Sequence, residues 1–263
     1  MAHRQNLAAI ALTDHDTIAG VEEARLSAKK YGVEFVSGIE ISTNPPKGFN
    51  LKGSLHILGY GIRIDDPDLT AKLDRLQEAR RNRNPKIIER LNRLGIDIKL
   101  SEVQEAVITG QLGRPHIARV MVKKGQATTI NNAFGNYLGQ GRPAYVDKFR
   151  IECAQAIEMI RQAGGVAVLA HPALIDIADQ DSLGALIKKL TTFGMQGLEV
   201  YYPEHTQKDV AHYAALAKSA GLFETGGTDF HGSLKPDIRM GCGAGDLSIP
   251  ARLYKTMIKH IET

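Results

Sequence analysis

A chain of 263 residues with 43% hydrophobic and 24% charged residues can bury a sizeable core, which excludes disordered, collagen-like and coiled-coil proteins. Cys153 and Cys242 are its only cysteines and form no CxxC pair, so a disulfide framework and a thiolate metal site are both excluded. The formal net charge of +4 is mild and fits both an enzyme with anionic substrates and an ordinary soluble protein.

The sequence shows no pattern typical of membrane insertion or secretion. No stretch approaches the roughly 18 uncharged apolar residues of a membrane span. The N-terminus, Met1 to Asn6, lacks a basic segment followed by an apolar core of signal-peptide length. We therefore expect a cytoplasmic protein without a membrane partner.

The first part of the chain alternates between strand and helix patterns. Small apolar runs bounded by polar residues predict buried strands, and Gly32 is placed to end the helix between the first two. Within the third strand, His56 and Leu58 lie on one face. The predicted elements are strands at 7–12, 33–36 and 53–60 and a helix at 18–31.

Helical periodicity replaces this alternation in the next segment. Asp66 and Pro67 form a helix start, with an N-cap followed by proline at the first helical position. Pro85 separates two apolar stripes, and we expect it to kink or break the helix. The expected domains are a barrel domain at 1–65 and 146–263 and a helical insertion at 66–145.

From Ile151 onward, the alternation of strands and helices returns. The predicted strands are 166–170, 197–202 and 222–226, and the predicted helices are 151–163, 183–193 and 208–220. Each of these strands runs directly into polar residues. Since the active sites of barrel-like α/β folds are built at the carboxyl ends of the strands, we expect one shared site there.

Four of the nine histidines and two carboxylates fall near ends of the predicted strands. Neutral imidazole and ionised carboxylate suit Mn²⁺, Zn²⁺ or Fe²⁺, and a mixed set from several strands is typical of hydrolase centres with more than one metal. A single such histidine is more often a hydrogen-bonded core residue, but a shared topological position favours a metal site. The six residues are His15, Glu40, His56, His171, Asp229 and His231.

Six short segments resemble the PHP (polymerase and histidinol phosphatase) family. The resemblance covers almost the whole chain and is strongest to the branch of bacterial metal-dependent phosphoesterases that includes RNase AM and nucleoside 3′,5′-bisphosphate phosphatases. Jointly the segments are highly specific. They are Thr13-Asp14-His15-Asp16-Thr17, Gly38-Ile39-Glu40, His56-Ile57-Leu58-Gly59-Tyr60, Gly113-Arg114-Pro115-His116, Ala170-His171-Pro172 and Gly227-Thr228-Asp229-Phe230-His231-Gly232.

The resemblance implies a distorted (β/α)7 barrel around two or three divalent ions, with manganese the first choice and zinc or iron next. The six residues named above match the family's metal ligands. Asp14 is a candidate catalytic residue that either orients the ring of His15 or caps a helix, and for Asp16 we favour the helix cap. The family opens with a strand ending in His-x-His, which this sequence does not show, so the resemblance also implies that the first strand and its ligands are lacking.

Candidate substrate contacts come from two arginines and two histidines. Arg114 and Arg142 lie in predicted turns and match cations that contact substrate phosphate in the resembled branch. His116 and the candidate catalytic residue His205 match positions near the substrate, and either could instead be structural. A basic face at 80–93 has no interleaved aromatic residues, so we interpret it as a solvated helix face and expect no stable partner of double-stranded nucleic acid.

These observations predict a metal-dependent phosphoesterase. Its substrates would be nucleotides, such as a nucleoside 3′,5′-bisphosphate, or the 5′ ends of short RNA, hydrolysed by a metal-bound hydroxide. Two alternatives stay open. One is a catalytically impaired fragment that at most binds nucleotides, and the other is a metal-dependent amidohydrolase, which would require a carboxylated or bridging lysine on a strand.

Overall fold

The computed structural model describes residues 1–51, 55–107 and 112–263. Contacts divide the chain into a sheet unit, formed by Met1–Ala71 and Arg150–Thr263, and a helical unit, formed by Lys72–Phe149. Gly53 and Ser54, with which the third predicted strand begins, lie outside the described residues, as do residues 108–111 of the predicted insertion.

The observed elements follow the predicted order of strands and helices. The strands are β1 (Ala9–Leu12), β2 (Glu34–Asn44), β3 (Leu55–Tyr60), β4 (Ile151–Glu152), β5 (Val166–Leu169), β6 (Gly197–Tyr201) and β7 (Phe223–Gly226). The helices are α1 (Val21–Tyr31), α2 (Pro67–Arg93), α3 (Leu100–Glu105), α4 (Arg114–Lys123), α5 (Ile130–Ala133), α6 (Cys153–Gln162), α7 (Gln180–Thr192), α8 (Gln207–Ser219) and α9 (Ala251–Ile261).

The sheet unit is built on one mixed sheet with the strand order β1-β2-β3-β5-β6-β7, and β4 pairs with β2. Strand β3 runs antiparallel to β2 and to β5, whereas the other neighbouring pairs are parallel. This arrangement confirms the predicted α/β fold class. The reversed β3 distorts the sheet from the all-parallel arrangement of a regular barrel.

The core of the sheet unit is centred on β5, which pairs with β3 on one side and β6 on the other. Its four residues are all buried, because helices or neighbouring strands cover a strand whose side chains are apolar on both faces. Val166 and Val168 pack with Leu58 of β3 and with Met257 of α9 in one apolar cluster. The unbroken apolar run at 166–169 therefore has the burial that a central strand requires.

The helical unit excludes one of the two outcomes expected at Pro85, a break in the helix. Helix α2 continues through Pro85 without a break, although a proline inside a helix costs about 3 kcal/mol. Ile87 and Leu91 are fully buried in the core of this unit, with residues of α3 and α4, so packing on the C-terminal side of the proline holds the helix together. The predicted start is confirmed, because the Leu69 amide donates to the side chain of Asp66 at 2.9 Å.

Across the ranges that the structure describes, no helix is both long enough and apolar enough to cross a membrane.

Gly38 tests how tightly β2 is held between its neighbours. A Cβ atom there would lie 2.9 Å from the carbonyl oxygen of Leu12 and 3.1 Å from that of Gly59. Because backbone atoms cannot move aside cheaply, we expect Gly38→Ala to lower the free energy of unfolding by roughly 1–3 kcal/mol, measured in urea.

Gly184 in α7 provides the matched control. Among the described atoms, the one that a Cβ there would meet within 4 Å is Cδ2 of Leu216, at 3.8 Å. We expect Gly184→Ala to leave stability unchanged or to raise it by about 0.5–1 kcal/mol, since alanine is the better helix former. Equal stability of the two variants would show that β2 is not confined as described.

Candidate metal centre

The six predicted ligands come from five different strands or the residues that follow them. Glu40 lies within β2, His56 within β3, and the others follow β1, β5 and β7. The others are His15, His171, Asp229 and His231. Because parallel strands end at one edge of a sheet, their carboxyl ends deliver these side chains to the same place.

His56 reaches this place from the opposite direction. It lies near the start of β3, and because β3 is antiparallel to its neighbours, the start of β3 lies beside the ends of β2 and β5. In the β2–β3 register Ser42 faces His56 and Glu40 faces Leu58, so His56 is diagonal to Glu40 on one face of the sheet. The predicted sharing of a face by His56 and Leu58 is thus confirmed.

Glu40 is the centre of the cluster. Its carboxylate is buried, and Oε1 lies 2.6 Å from Nδ1 of His56 and 3.2 Å from Nε2 of His171. Oε2 lies 3.5 Å from Nδ1 of His15. Burial raises the pKa of Glu40, but His15, His56 and His171 outweigh that effect and hold the pKa well below its ordinary value.

The donor set fits a divalent cation. One ligand atom each from His15, Glu40 and His56 lie within 4.8 Å of one another. Nδ1 of His56 and Nε2 of His171 are 3.1 Å apart, and Nδ1 of His171 is buried without a hydrogen-bond partner in the described part of the chain. Imidazole nitrogens gathered around one carboxylate are donors that suit a divalent metal ion.

Asp229 and His231 stand on the other side of His15. The ring centroids of His15 and His231 are 6.3 Å apart, and Oδ1 of Asp229 lies 3.3 Å from Nδ1 of His231. Oδ2 of Asp229 accepts hydrogen bonds from the Tyr202 hydroxyl at 3.0 Å and from Nζ of Lys235 at 2.6 Å. The structure therefore brings the six predicted ligands into one continuous cluster.

The two aspartates beside His15 differ in role. Asp14 is half-buried, burial raises its pKa, and its carbonyl oxygen accepts the Glu40 amide at 3.2 Å. The helix-cap interpretation of Asp16 is wrong, because α1 begins only at Val21. Asp16 is instead buried, and its Oδ1 accepts the amide of Ser42 in β2 at 3.2 Å. Asp16 thus links the segment that contains His15 to β2 through a hydrogen bond.

His205 lies just before α8 with its two ring nitrogens in different surroundings. Nδ1 is 2.8 Å from the carbonyl oxygen of Val200, which can only accept, so Nδ1 carries the proton. Nε2 is buried and has no hydrogen-bond partner within the described ranges. Burial lowers the pKa of His205, so the ring is held neutral with a lone pair on Nε2.

The remaining candidates belong to the helical unit. Arg114 is the first residue of α4 rather than part of a turn, and its Nη1 donates to the carbonyl oxygen of Leu138 at 2.9 Å. Nδ1 of the buried His116 accepts the amide of Gly113 at 3.2 Å, and burial lowers the pKa of His116. Arg142 is exposed in a turn.

Two further polar residues near the cluster escaped the sequence analysis. Glu199 in β6 is buried, its Oε2 accepts the amide of His171 at 2.8 Å, and burial raises its pKa to about 7. Tyr202, which directly follows β6, is buried and donates to Asp229. A glutamate between Leu198 and Val200 in an apolar strand was the available signal, since unpaired acids are rarely buried.

A buried carboxylate shared by three imidazoles, at the strand ends of an α/β sheet, is a donor set that suits the metal centre of a hydrolase. Among curated proteins, the chain is 34% identical to a 5′-3′ exoribonuclease of Haemophilus influenzae, over 88% of this chain and 81% of that protein. It is 32% identical to a 3′,5′-nucleoside bisphosphate phosphatase of Chromobacterium violaceum, over 85% of this chain and 77% of that protein.

A solved structure also indicates similarity to a phosphoesterase. A candidate metal-dependent phosphoesterase from Bifidobacterium adolescentis matches with a TM-score of 0.83 at 26% identity, over 98% of this chain and 87% of that one. No protein-family model matches the chain. On these relatives, the chain belongs to the PHP-family phosphoesterases and is a phosphoric ester hydrolase.

Glu40 provides the direct test of the metal centre. Even removal of a group that only supports a ligand weakens metal affinity about 10–100-fold, so we expect Glu40→Gln to weaken Mn²⁺ binding at least tenfold. The measurement is titration with Mn²⁺ in competition with a chelating dye, after circular dichroism has confirmed the fold.

Glu34→Gln is the matched control because Glu34 is an exposed residue of the same strand. We expect this variant to bind Mn²⁺ with the affinity of the parent protein. Equal affinities for both variants would remove Glu40 from the ligand set.

Proposed function

We propose that the protein hydrolyses phosphate esters of nucleotides, either a nucleoside 3′,5′-bisphosphate or the 5′ end of a short RNA, with two or three divalent metal ions. The observation that supports this most directly is the buried carboxylate of Glu40 in contact with His15, His56 and His171. The substrate class is supported by the relatives, one named as an exoribonuclease and the other as a bisphosphate phosphatase.

The proposed ligands are the six clustered residues His15, Glu40, His56, His171, Asp229 and His231. Manganese is our first choice of ion, followed by zinc or iron, since imidazole and carboxylate suit all three. When bound, such ions supply Lewis-acid stabilisation of the phosphoryl oxygens and lower the pKa of water. Glu40 would supply ligand oxygens to the centre, because its two oxygens face different histidines.

Asp14 and His205 are the proposed catalytic side chains. Asp14 directly precedes His15 and is proposed to orient its ring; the backbone on which both residues lie is held by the bond from the Glu40 amide to the Asp14 carbonyl oxygen. Nε2 of His205 holds a lone pair, so it would accept a proton from the attacking water and then donate that proton to the departing oxygen of the ester. The fixed proton on Nδ1 supports this assignment because it leaves only Nε2 for proton transfer.

Arg114, His116 and Arg142 are proposed to contact the substrate phosphate, and the helical unit that contains them is proposed to be an inserted domain. For Arg114, the rings of Phe134 and Tyr145 lie 5.6 and 5.2 Å from the guanidinium carbon. Stacking on two rings fixes the plane of the guanidinium, which favours two-point binding of an anion.

The amidohydrolase alternative lacks its required group. None of the seven described strands contains a lysine, and the shared position among the histidines belongs to Glu40. A cytoplasmic location is also proposed, because the free cysteines Cys153 and Cys242 suit a reducing compartment.

The test of function is phosphate release from a nucleoside 3′,5′-bisphosphate and from a 5′-phosphorylated oligoribonucleotide. We expect turnover that a chelator abolishes and that added Mn²⁺ restores, since the metal ions supply the stabilisation of the phosphoryl group. The ratio of kcat/KM for the bisphosphate and the oligoribonucleotide shows which of the two is the preferred substrate. Bound metal without hydrolysis of either substrate would contradict the proposal and would favour a nucleotide-binding role.

Arg114→Gln tests the phosphate contact. A hydrogen bond to a charged group contributes about 1.5–3 kcal/mol, so we expect KM for the substrate to rise about tenfold or more, with a smaller change in kcat. Arg75→Gln is the control, because Arg75 is exposed on α2. Urea unfolding of both variants must accompany the kinetics, since Arg114 also donates to Leu138. An unchanged KM in a folded Arg114→Gln protein would exclude the contact.

A further inference from the structure

We propose that Glu199 and Tyr202 are positioning residues that hold two metal ligands, His171 and Asp229, in place. The proposal rests on the proposed function, since it concerns the same metal centre. Neither residue belongs to the six proposed ligands. Each acts instead through a neighbouring strand, and the argument depends on where β6 lies in the sheet.

Strand β6 is paired in parallel with β5 on one side and with β7 on the other. His171 follows β5, and Asp229 follows β7. The strand between them contributes no proposed ligand. Glu199 in β6 and Tyr202 directly after it are two buried polar side chains: Glu199 accepts the amide of His171, and Tyr202 donates to Asp229.

Both supported ligands have backbone conformations that require support. The φ angle is +25° at His171 and +49° at Asp229, in the left-handed region that side chains other than glycine rarely adopt. Glu199 contacts the backbone of His171 directly, and Tyr202 contacts the side chain of Asp229. A residue held in such a conformation persists only where its surroundings enforce it, and the strain is found mainly at functional sites.

Glu199 fixes the backbone of His171. At that point the chain leaves the sheet, and the His171 amide donates to Oε2 of Glu199 at 2.8 Å instead of to a neighbouring strand. Gly227 leaves room for the other carboxylate oxygen, because a Cβ atom there would lie 2.9 Å from Oε1. With its backbone held, His171 places Nε2 3.2 Å from Oε1 of Glu40.

Tyr202 fixes the carboxylate of Asp229. The Tyr202 hydroxyl and Nζ of Lys235 both donate to Oδ2, which leaves Oδ1 on the side of His231. The Tyr202 ring also packs against His171, with centroids 5.5 Å apart. One aromatic side chain therefore contacts both supported ligands, and its hydroxyl acts together with Nζ of Lys235 to set which oxygen of Asp229 faces the cluster.

The experiment measures Mn²⁺ affinity and kcat for variants at both positions. Tyr202→Phe removes one oxygen and keeps the ring, and Glu199→Ala removes the acceptor of the His171 amide. We expect each to weaken Mn²⁺ binding about tenfold or more, the usual effect of removing a partner of a metal ligand. Glu199→Gln keeps an acceptor oxygen, so we expect it to recover most of the affinity lost in Glu199→Ala.

Two neighbouring substitutions serve as controls. Tyr201→Phe removes the same hydroxyl from the half-buried last residue of β6, and Glu204→Ala removes an exposed carboxylate nearby. We expect both to keep the parent's Mn²⁺ affinity and kcat. Electron paramagnetic resonance of bound Mn²⁺ supplies a further readout, because a displaced ligand changes the spectrum and a loss of fold stability alone does not.

The outcomes separate the two proposals. Parental Mn²⁺ affinity and spectrum in Tyr202→Phe would overturn the positioning role, even if urea unfolding showed a loss of stability. If Glu199→Ala does not fold, the Mn²⁺ affinity and spectrum of Tyr202→Phe alone test the positioning role. A parent protein that binds Mn²⁺ but releases no phosphate would overturn the proposed function alone, because the affinity comparison still stands. A parent that binds no divalent ion would overturn both.

Discussion

The structure depends on a carboxylate that is ionised although it is buried. Removing a negative charge from water is costly unless the surroundings return the lost stabilisation, and for Glu40 the imidazoles of His15, His56 and His171 do so. Each imidazole arrives from a different strand, so the fold must be assembled before the charge is compensated. The centre therefore forms only in the tertiary structure. Its formation is accompanied by strained backbone conformations at His171 and Asp229.

A phosphoric ester hydrolase of this kind needs little nucleophilic chemistry from its own side chains. Its task is to hold positive charge where negative charge develops, and rigidity is what makes such stabilisation effective. The strands provide that rigidity for the proposed ligands. Glu199 in β6 and Tyr202 after it add to this rigidity, since they bind the His171 amide and the Asp229 carboxylate.

Much of the fold was predictable because burial and periodicity are local signals. The apolar run of β5 and the N-cap at Asp66 are examples, and the polar residues after the strands pointed to the site. Tertiary contacts decided the rest. Packing of the helical unit carries α2 through Pro85, and the bond between Asp16 and Ser42 joins segments that the sequence does not show to be adjacent. Glu199 escaped notice because its partner is the backbone amide of His171, in the segment that follows β5.

The reversed direction of β3 has a consequence for how errors in strand alignment are prevented. A slip of one residue would turn His56 away from the site and replace it with Leu55 or Ile57, because alternate side chains face opposite sides. Strand β3 is hydrogen-bonded along both edges, to β2 and to β5, so any slip must break two ladders at once. Pairing along both edges of β3 thus keeps its register fixed, and the fixed register keeps the imidazole of His56 on the side of the site.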